Sequence, residues 1–175
     1  MSNKLYCISK MNKNETIMDL NVNPQEKGAS SKRVNIISIK MVKEGSLLYS
    51  NRNINSPDDA ADLLSPFLQD SDREMLVVCC LDSKNQPTLI NIASIGTLNS
   101  SLVHPREVFK AAILGNAASV IIAHNHPSGD PSPSSEDINI TTRLKEAGKI
   151  IGIDVLDHVI IGFSNHVSLK ERGVI

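Results

Sequence analysis

The apolar residues of this chain come in blocks, and the spacing within each block predicts its element. Residues 1–33, most plainly KMNKNETIMDLNVNPQEKGASSKR at 10–33, are polar, rich in Asn, Lys and Ser and without sustained periodicity. They read as a flexible tail ahead of a domain over 34–175. At Val34 the pattern changes to the β-branched run VNIISIKMV, long enough for a strand. Ser56-Pro57-Asp58-Asp59 then has the chemistry of a helix start, with Ser56 as N-cap, Pro57 in the first position and acids in the first turn. Ala60, Ala61, Leu63, Leu64, Phe67 and Leu68 follow at helical spacing. MLVVCCLD at 75–82 is apolar on both faces, as a central strand must be, and Asp82–Gln86 turns the chain back into TLINIASIG at 88–96.

His104-Pro105-Arg106-Glu107 opens a second helix that stops near Gly115-Asn116, and ASVIIAH at 118–124 is a strand. A Pro/Ser/Gly loop at 127–133 leads into a third helix from Ser134, ended by Gly148 or Gly152. DVLDHVIIG at 154–162 and HVSLKE at 166–171 close the chain as strands. Alternating strands and helices with short connections predict an α/β (α+β) domain in which helices flank a mixed sheet. There is no internal repeat.

Composition changes this picture little. At 175 residues a single core buries roughly 70% of the unfolded chain's surface, so folding needs neither disulfides nor a structural metal. Any metal is therefore available for chemistry. Cys7, Cys79 and Cys80 are too few and badly spaced for a metal or disulfide framework. Adjacent residues on a strand point to opposite faces, so Cys79 and Cys80 cannot bridge each other and read as reduced packing residues of a cytoplasmic protein. The start of the chain has no long apolar stretch, and every later apolar run is too short to span a bilayer, which argues against secretion and membrane insertion. The net charge of -1 argues against nucleic acid as a partner. It divides into +3 over residues 1–33 and -4 over the remainder.

One segment carries the chemistry: His124-Asn125-His126-Pro127-Ser128-Gly129-Asp130-Pro131-Ser132-Pro133-Ser134-Ser135-Glu136-Asp137. Two histidines two residues apart at a strand's end put both imidazoles on one face. A carboxylate in the first turn of the following helix, Asp137, completes a His2Asp set with a fourth position open, the arrangement of a catalytic zinc site. Ser134 and Asp137 are equally explained as a capping box, with Asp in the usual place of Glu. The tripeptide spelling H-N-H is not the nuclease element of that name, whose residues are spread over a longer ββα unit. A helix-borne H-E-x-x-H and a deaminase P-C-x-x-C are both absent.

His124, His126, Ser134 and Asp137 together match H-x-H, seven residues, S, two residues, D, and this resembles the JAMM metalloprotease motif of the JAB/MPN (cytidine-deaminase-like) fold. HNHPSGDPSPS, with Ser101-Leu-Val-His-Pro-Arg-Glu-Val-Phe109 upstream and Asp157-His-Val-Ile-Ile-Gly162 downstream, is similar to the RadC-like bacterial branch. The resemblance covers about Ser56 to the C-terminus and leaves out residues 1–33. It implies a zinc-dependent peptide or isopeptide hydrolase with one Zn2+ per chain on His124, His126 and Asp137. It also implies a general acid/base glutamate just before a sheet strand, where Glu74 stands, and Ser134 as donor to the oxyanion. Glu107 is the runner-up for the glutamate, its helix-start position being accounted for by the helix dipole. His158, Asp130 and Asp157 are candidates to hydrogen-bond the ligand imidazoles, and His104 and His166 read as structural or surface residues.

The substrate class implied is a peptide or protein, its identity and the oligomeric state being open. Two alternatives remain: an interaction module that keeps the metal without hydrolysing anything, and an accessory protein of DNA repair or mobile-element biology, the traditional label of RadC-like proteins. Longer family members carry an N-terminal helical region of DNA-binding type, for which residues 1–33 are too short and too polar.

Overall fold

The computed structural model describes residues 34–96 and 103–175. The expected tail and Cys7 lie outside the described residues, as do Ser101 and Leu102. Five strands form one sheet: β1 (Met75–Leu81), β2 (Pro87–Ile95), β3 (Ser119–Asn125), β4 (Asp154–Ile161) and β5 (His166–Ser168). Their order is β2-β1-β3-β4-β5; β3 and β4 run parallel and every other pair antiparallel. Three helices join them: α1 (Pro57–Leu64), α2 (Pro105–Leu114) and α3 (Ser135–Ile151). The architecture is the predicted α+β domain with a mixed sheet between helices.

Strand alternation sorts β1 between two cores. Leu76, Val78 and Cys80 join Val108, Phe109 and Ala112 of α2 and Ile140 and Leu144 of α3. Val77, Cys79 and Leu81 pack with Ala60, Ala61, Leu63 and Leu64 of α1. The two adjacent thiols are thus buried on opposite faces, and burial pushes Cys79 up to about 12 and Cys80 up to about 11, which removes both as nucleophiles near neutral pH. β1 and β2 close as a hairpin because the Asp82 carboxylate accepts from the backbone N–H groups of Lys84 and Gln86 while Asn85 takes a left-handed φ of 57°.

The parallel pair β3 and β4 requires a crossover, and α3 supplies it. This helix starts on a Ser134–Asp137 capping box and ends where Gly152, at φ 80°, donates its N–H to the Gly148 carbonyl.

Three expectations are corrected. VNIISIKMV is not a strand: residues 34–49 have no regular secondary structure and are exposed, and the domain's first element is α1. Its β-branched composition favours a pleated surface only when a neighbouring strand closes the ladder, and no described strand pairs with it. The first helix stops at Leu64, and Ser65–Phe67 continues as a 3-10 turn because Pro66 has no N–H for the next helical bond. The last strand is three residues long, its expected continuation forming a turn.

Candidate metal centre

β3 delivers the two histidines. Leu76 of β1 pairs with His124, so the His124 side chain faces the α2/α3 side like its strand-mates Val120 and Ile122. His126 lies just beyond the strand on the same parity, tethered by its N–H to the Ile161 carbonyl at 3.0 Å. The proline-rich loop then turns the chain so that the first turn of α3 comes back over the strand end. Asp137 is buried there, against a fully buried His124 and a His126 whose side chain keeps 15% exposure.

Four donor atoms of these three residues lie close together. His124 Nε2 and His126 Nε2 are 3.0 Å apart, His124 Nε2 is 3.3 Å from Asp137 Oδ1, and His126 Nε2 is 3.5 Å from Asp137 Oδ2. Ligands held at about 2.1 Å around a tetrahedral zinc stand about 3.4 Å apart, so each contact is near the length of a tetrahedral edge, the two to Asp137 being made by different oxygens. The residues fit a metal with borderline nitrogen and oxygen donors, and among the described residues His124, His126 and Asp137 form a group that could hold one. Burial by itself would raise the Asp137 carboxyl. The facing His124, and hydrogen bonds from the Ser134 hydroxyl and N–H, outweigh it and hold the group well below the usual carboxylate range.

Each ligand is itself held. Asp137 Oδ2 accepts from the Ser134 N–H at 2.7 Å and the Ser134 hydroxyl at 2.6 Å, which leaves Oδ1 for the side of His124. Ser134 also accepts from the Asp137 N–H at 3.1 Å, so the capping box and the ligand geometry coexist. His126 Nδ1 lies 2.7 Å from the backbone carbonyl of Asp130. Asp130 thus meets an imidazole, but through its main chain; its carboxylate is taken by the Ser132 N–H and hydroxyl. His124 Nδ1 lies 2.7 Å from His158 Nε2, and His158 Nδ1 lies 2.6 Å from the hydroxyl of Thr141. His158 is fully buried, and burial first, then the neighbouring His124, holds it well below the usual imidazole range.

Asp157 does not meet the cluster. It alternates with His158 onto the other face of β4, where its carboxylate accepts from the Ser168 hydroxyl at 2.7 Å and from the N–H groups of His158 and Lys170. Its part is to tie β5 to β4. Glu107 sits exposed in the first turn of α2, paired to Lys110, which lowers its carboxyl. His104 caps that same helix, and His166 stands 3.4 Å from Asp58.

Glu74 directly precedes β1 and is partly buried. Alternation from Leu76 gives it the parity of His124. The side chain that anchors it is Asn125, which accepts from the Met75 N–H at 2.8 Å and donates to the Arg73 carbonyl at 3.1 Å, gripping the backbone on both sides of Glu74. Asn125 and Thr141 are the residues that reading the sequence overlooked. Asn125 was visible as the centre of H-x-H, whose side chain must point away from both imidazoles. Thr141 carried one signal, its place one helical turn after Asp137.

Residues 54–174 match the model of a protein family described as the RadC-like JAB domain. A UPF0758 protein of Clostridium botulinum (strain Okra / Type B1) is 51% identical over 148 residues, covering 83% of this chain and 65% of that protein. A UPF0758 protein of Methanosarcina barkeri (strain Fusaro / DSM 804) is 52% identical over 124 residues, covering 71% of this chain and 54% of that protein. The chain spans 54% to 65% of the length of these curated relatives. Among the described residues no helix is long and apolar enough to cross a membrane.

Proposed function

Because the chain belongs to the RadC-like JAB domain family and carries the His124–His126–Asp137 cluster, we propose that it is a zinc-dependent hydrolase of peptide or isopeptide bonds. The cluster is the observation that carries this reading: three residues whose donor atoms approach one another at about the edge length of a tetrahedral site leave one position for a reactant. His124, His126 and Asp137 would hold one zinc per chain, which when bound would supply Lewis-acid polarisation of a carbonyl and lower the pKa of a water to about 7. The remaining work belongs to side chains. Glu74 accepts a proton from the attacking water and returns it to the leaving amine nitrogen, with Asn125 fixing the backbone from which it reaches. The Ser134 hydroxyl, exposed at the start of α3, swings from Asp137 Oδ2 to the developing oxyanion, a donor worth about 3 kcal/mol, while the Ser134 N–H keeps its hold on Asp137. The substrate is a peptide or protein rather than nucleic acid.

The test is a metal measurement on purified protein followed by a screen of peptides and ubiquitin-like fusions. Glu74→Gln should keep its zinc and lose turnover by roughly 10²- to 10⁴-fold. Bound zinc with no Glu74-dependent cleavage of any substrate would leave a metal-binding interaction module instead.

A further inference from the structure

The contacts behind His124 form a chain whose proton positions can be deduced. Thr141 Oγ1 stands 2.6 Å from the Asp137 carbonyl oxygen, one turn back on α3. Two oxygens so close need a hydrogen between them, and the carbonyl has none, so the single hydroxyl hydrogen of Thr141 is spent there. Toward His158 Nδ1, 2.6 Å away, the Thr141 oxygen can then only accept. His158 is fully buried with its ring nitrogens against a hydroxyl and a second imidazole and no carboxylate, a setting that holds a ring with one N–H; this contact uses it, so Nε2 is a bare lone pair. That lone pair lies 2.7 Å from His124 Nδ1, which must therefore be the protonated nitrogen of His124. On the far side of the cluster the same logic takes one step, because the Asp130 carbonyl accepts from His126 Nδ1.

Both Nε2 atoms consequently meet as bare lone pairs 3.0 Å apart beside a carboxylate. We propose that Thr141 and His158 are positioning residues that hold His124 in its Nδ1–H tautomer, keeping Nε2 open for the metal, by a relay that begins on the backbone carbonyl of Asp137, itself a ligand. The relay rests on the reading of His124 and Asp137 as ligands. It couples them: the helix turn that presents Asp137 also sets the proton on His124. Removing the Thr141 hydroxyl lets both rings shift together, so that His158 donates from Nε2 and His124 carries its hydrogen on Nε2, pointing at the metal position.

Long-range ¹H–¹⁵N NMR of the metal-free full chain, above the titration range of its histidines, reads these tautomers directly. Wild type should show His124 and His158 protonated at Nδ1. Thr141→Val, equal in shape, should move the pair toward Nε2–H and weaken zinc binding in a chelator competition by roughly 10- to 100-fold, and Thr141→Ser should restore both. His124 protonated at Nε2 in wild type, or a Thr141→Val protein with wild-type spectra and zinc affinity, overturns the relay. If wild type binds no zinc, the functional reading fails, while the metal-free spectra still decide the relay. Should Thr141→Val not fold, the wild-type spectrum and the Thr141→Ser affinity decide it.

Discussion

Two helices of this protein begin on the same four-residue device, and only one of those beginnings can bind a metal. At α1, Ser56 accepts from the Asp59 N–H, and the Asp59 carboxylate accepts from the N–H groups of Ser56 and Asn55 and from the Asn51 amide. At α3, Ser134 and Asp137 make the same reciprocal bonds. In the first case both carboxylate oxygens are occupied by local donors and the group is only partly buried. In the second, local donors converge on Oδ2, leaving Oδ1 toward His124 while His126 stands 3.5 Å from Oδ2, in a buried setting. The capping box explains why Ser and Asp stand at both places. What surrounds the carboxylate determines which of them is placed to serve as a ligand.

The largest expected difference between the two boxes is in metal binding. Asp137→Ala should take zinc content from about one per chain to none, because two histidines alone do not make a three-ligand site. Asp59→Ala should leave zinc content untouched. Elemental analysis after dialysis against trace zinc distinguishes them. Full zinc content in Asp137→Ala would erase the contrast and return Asp137 to capping alone.

The same contrast sets how far the site could be read from the sequence. Ser56-x-x-Asp59 and Ser134-x-x-Asp137 are locally equivalent, so only the nearby H-x-H separated them, and the fold adds what the sequence could not show, His124 at 3.3 Å from Asp137. The elements around the site were legible because their punctuation is local: Pro57 and Pro105 open helices, and Gly152 closes one. Asp157 and His158 were both candidates to support the imidazoles, although strand alternation permits only one of two neighbours to face them. Thr141 was out of reach, since its role exists only where the parallel pairing of β3 with β4 sets His158 beside Ile122. VNIISIKMV shows the opposite failure: its composition is local, but a strand is not.

A smaller effect concerns stability without metal. Ser56→Ala should cost about 1 kcal/mol, the usual loss of an N-cap. Ser134→Ala should cost about 2 kcal/mol, because it removes the cap and also strips a hydroxyl donor from a buried carboxylate. Urea unfolding of both variants in chelator measures the difference. Equal losses would mean that the burial of Asp137 adds nothing to its box in the absence of metal, and that the two helix starts differ only once zinc is present.

The smallest effect belongs to the surface box and concerns pH. The Asp59 carboxyl is lowered chiefly by the Asn55 N–H, an effect that burial partly opposes and that Ser56 and Asn51 reinforce. Its folded value lies below that of the unfolded chain, about 3.9, so the ionised form favours folding. That contribution is complete above the unfolded value and is lost as pH falls through the folded one. Asp59→Asn should therefore be less stable than wild type by a constant margin above about pH 5 and converge on it below about pH 4. Above pH 5 the margin should be the same with zinc and with chelator, because no metal depends on this carboxylate. Unfolding curves at stepped pH test both points. A margin that changes with zinc would mean that the two helix starts communicate, and a margin that does not shrink at all between about pH 5 and pH 3 would mean that Asp59 acts through its shape and hydrogen bonds and not through its charge.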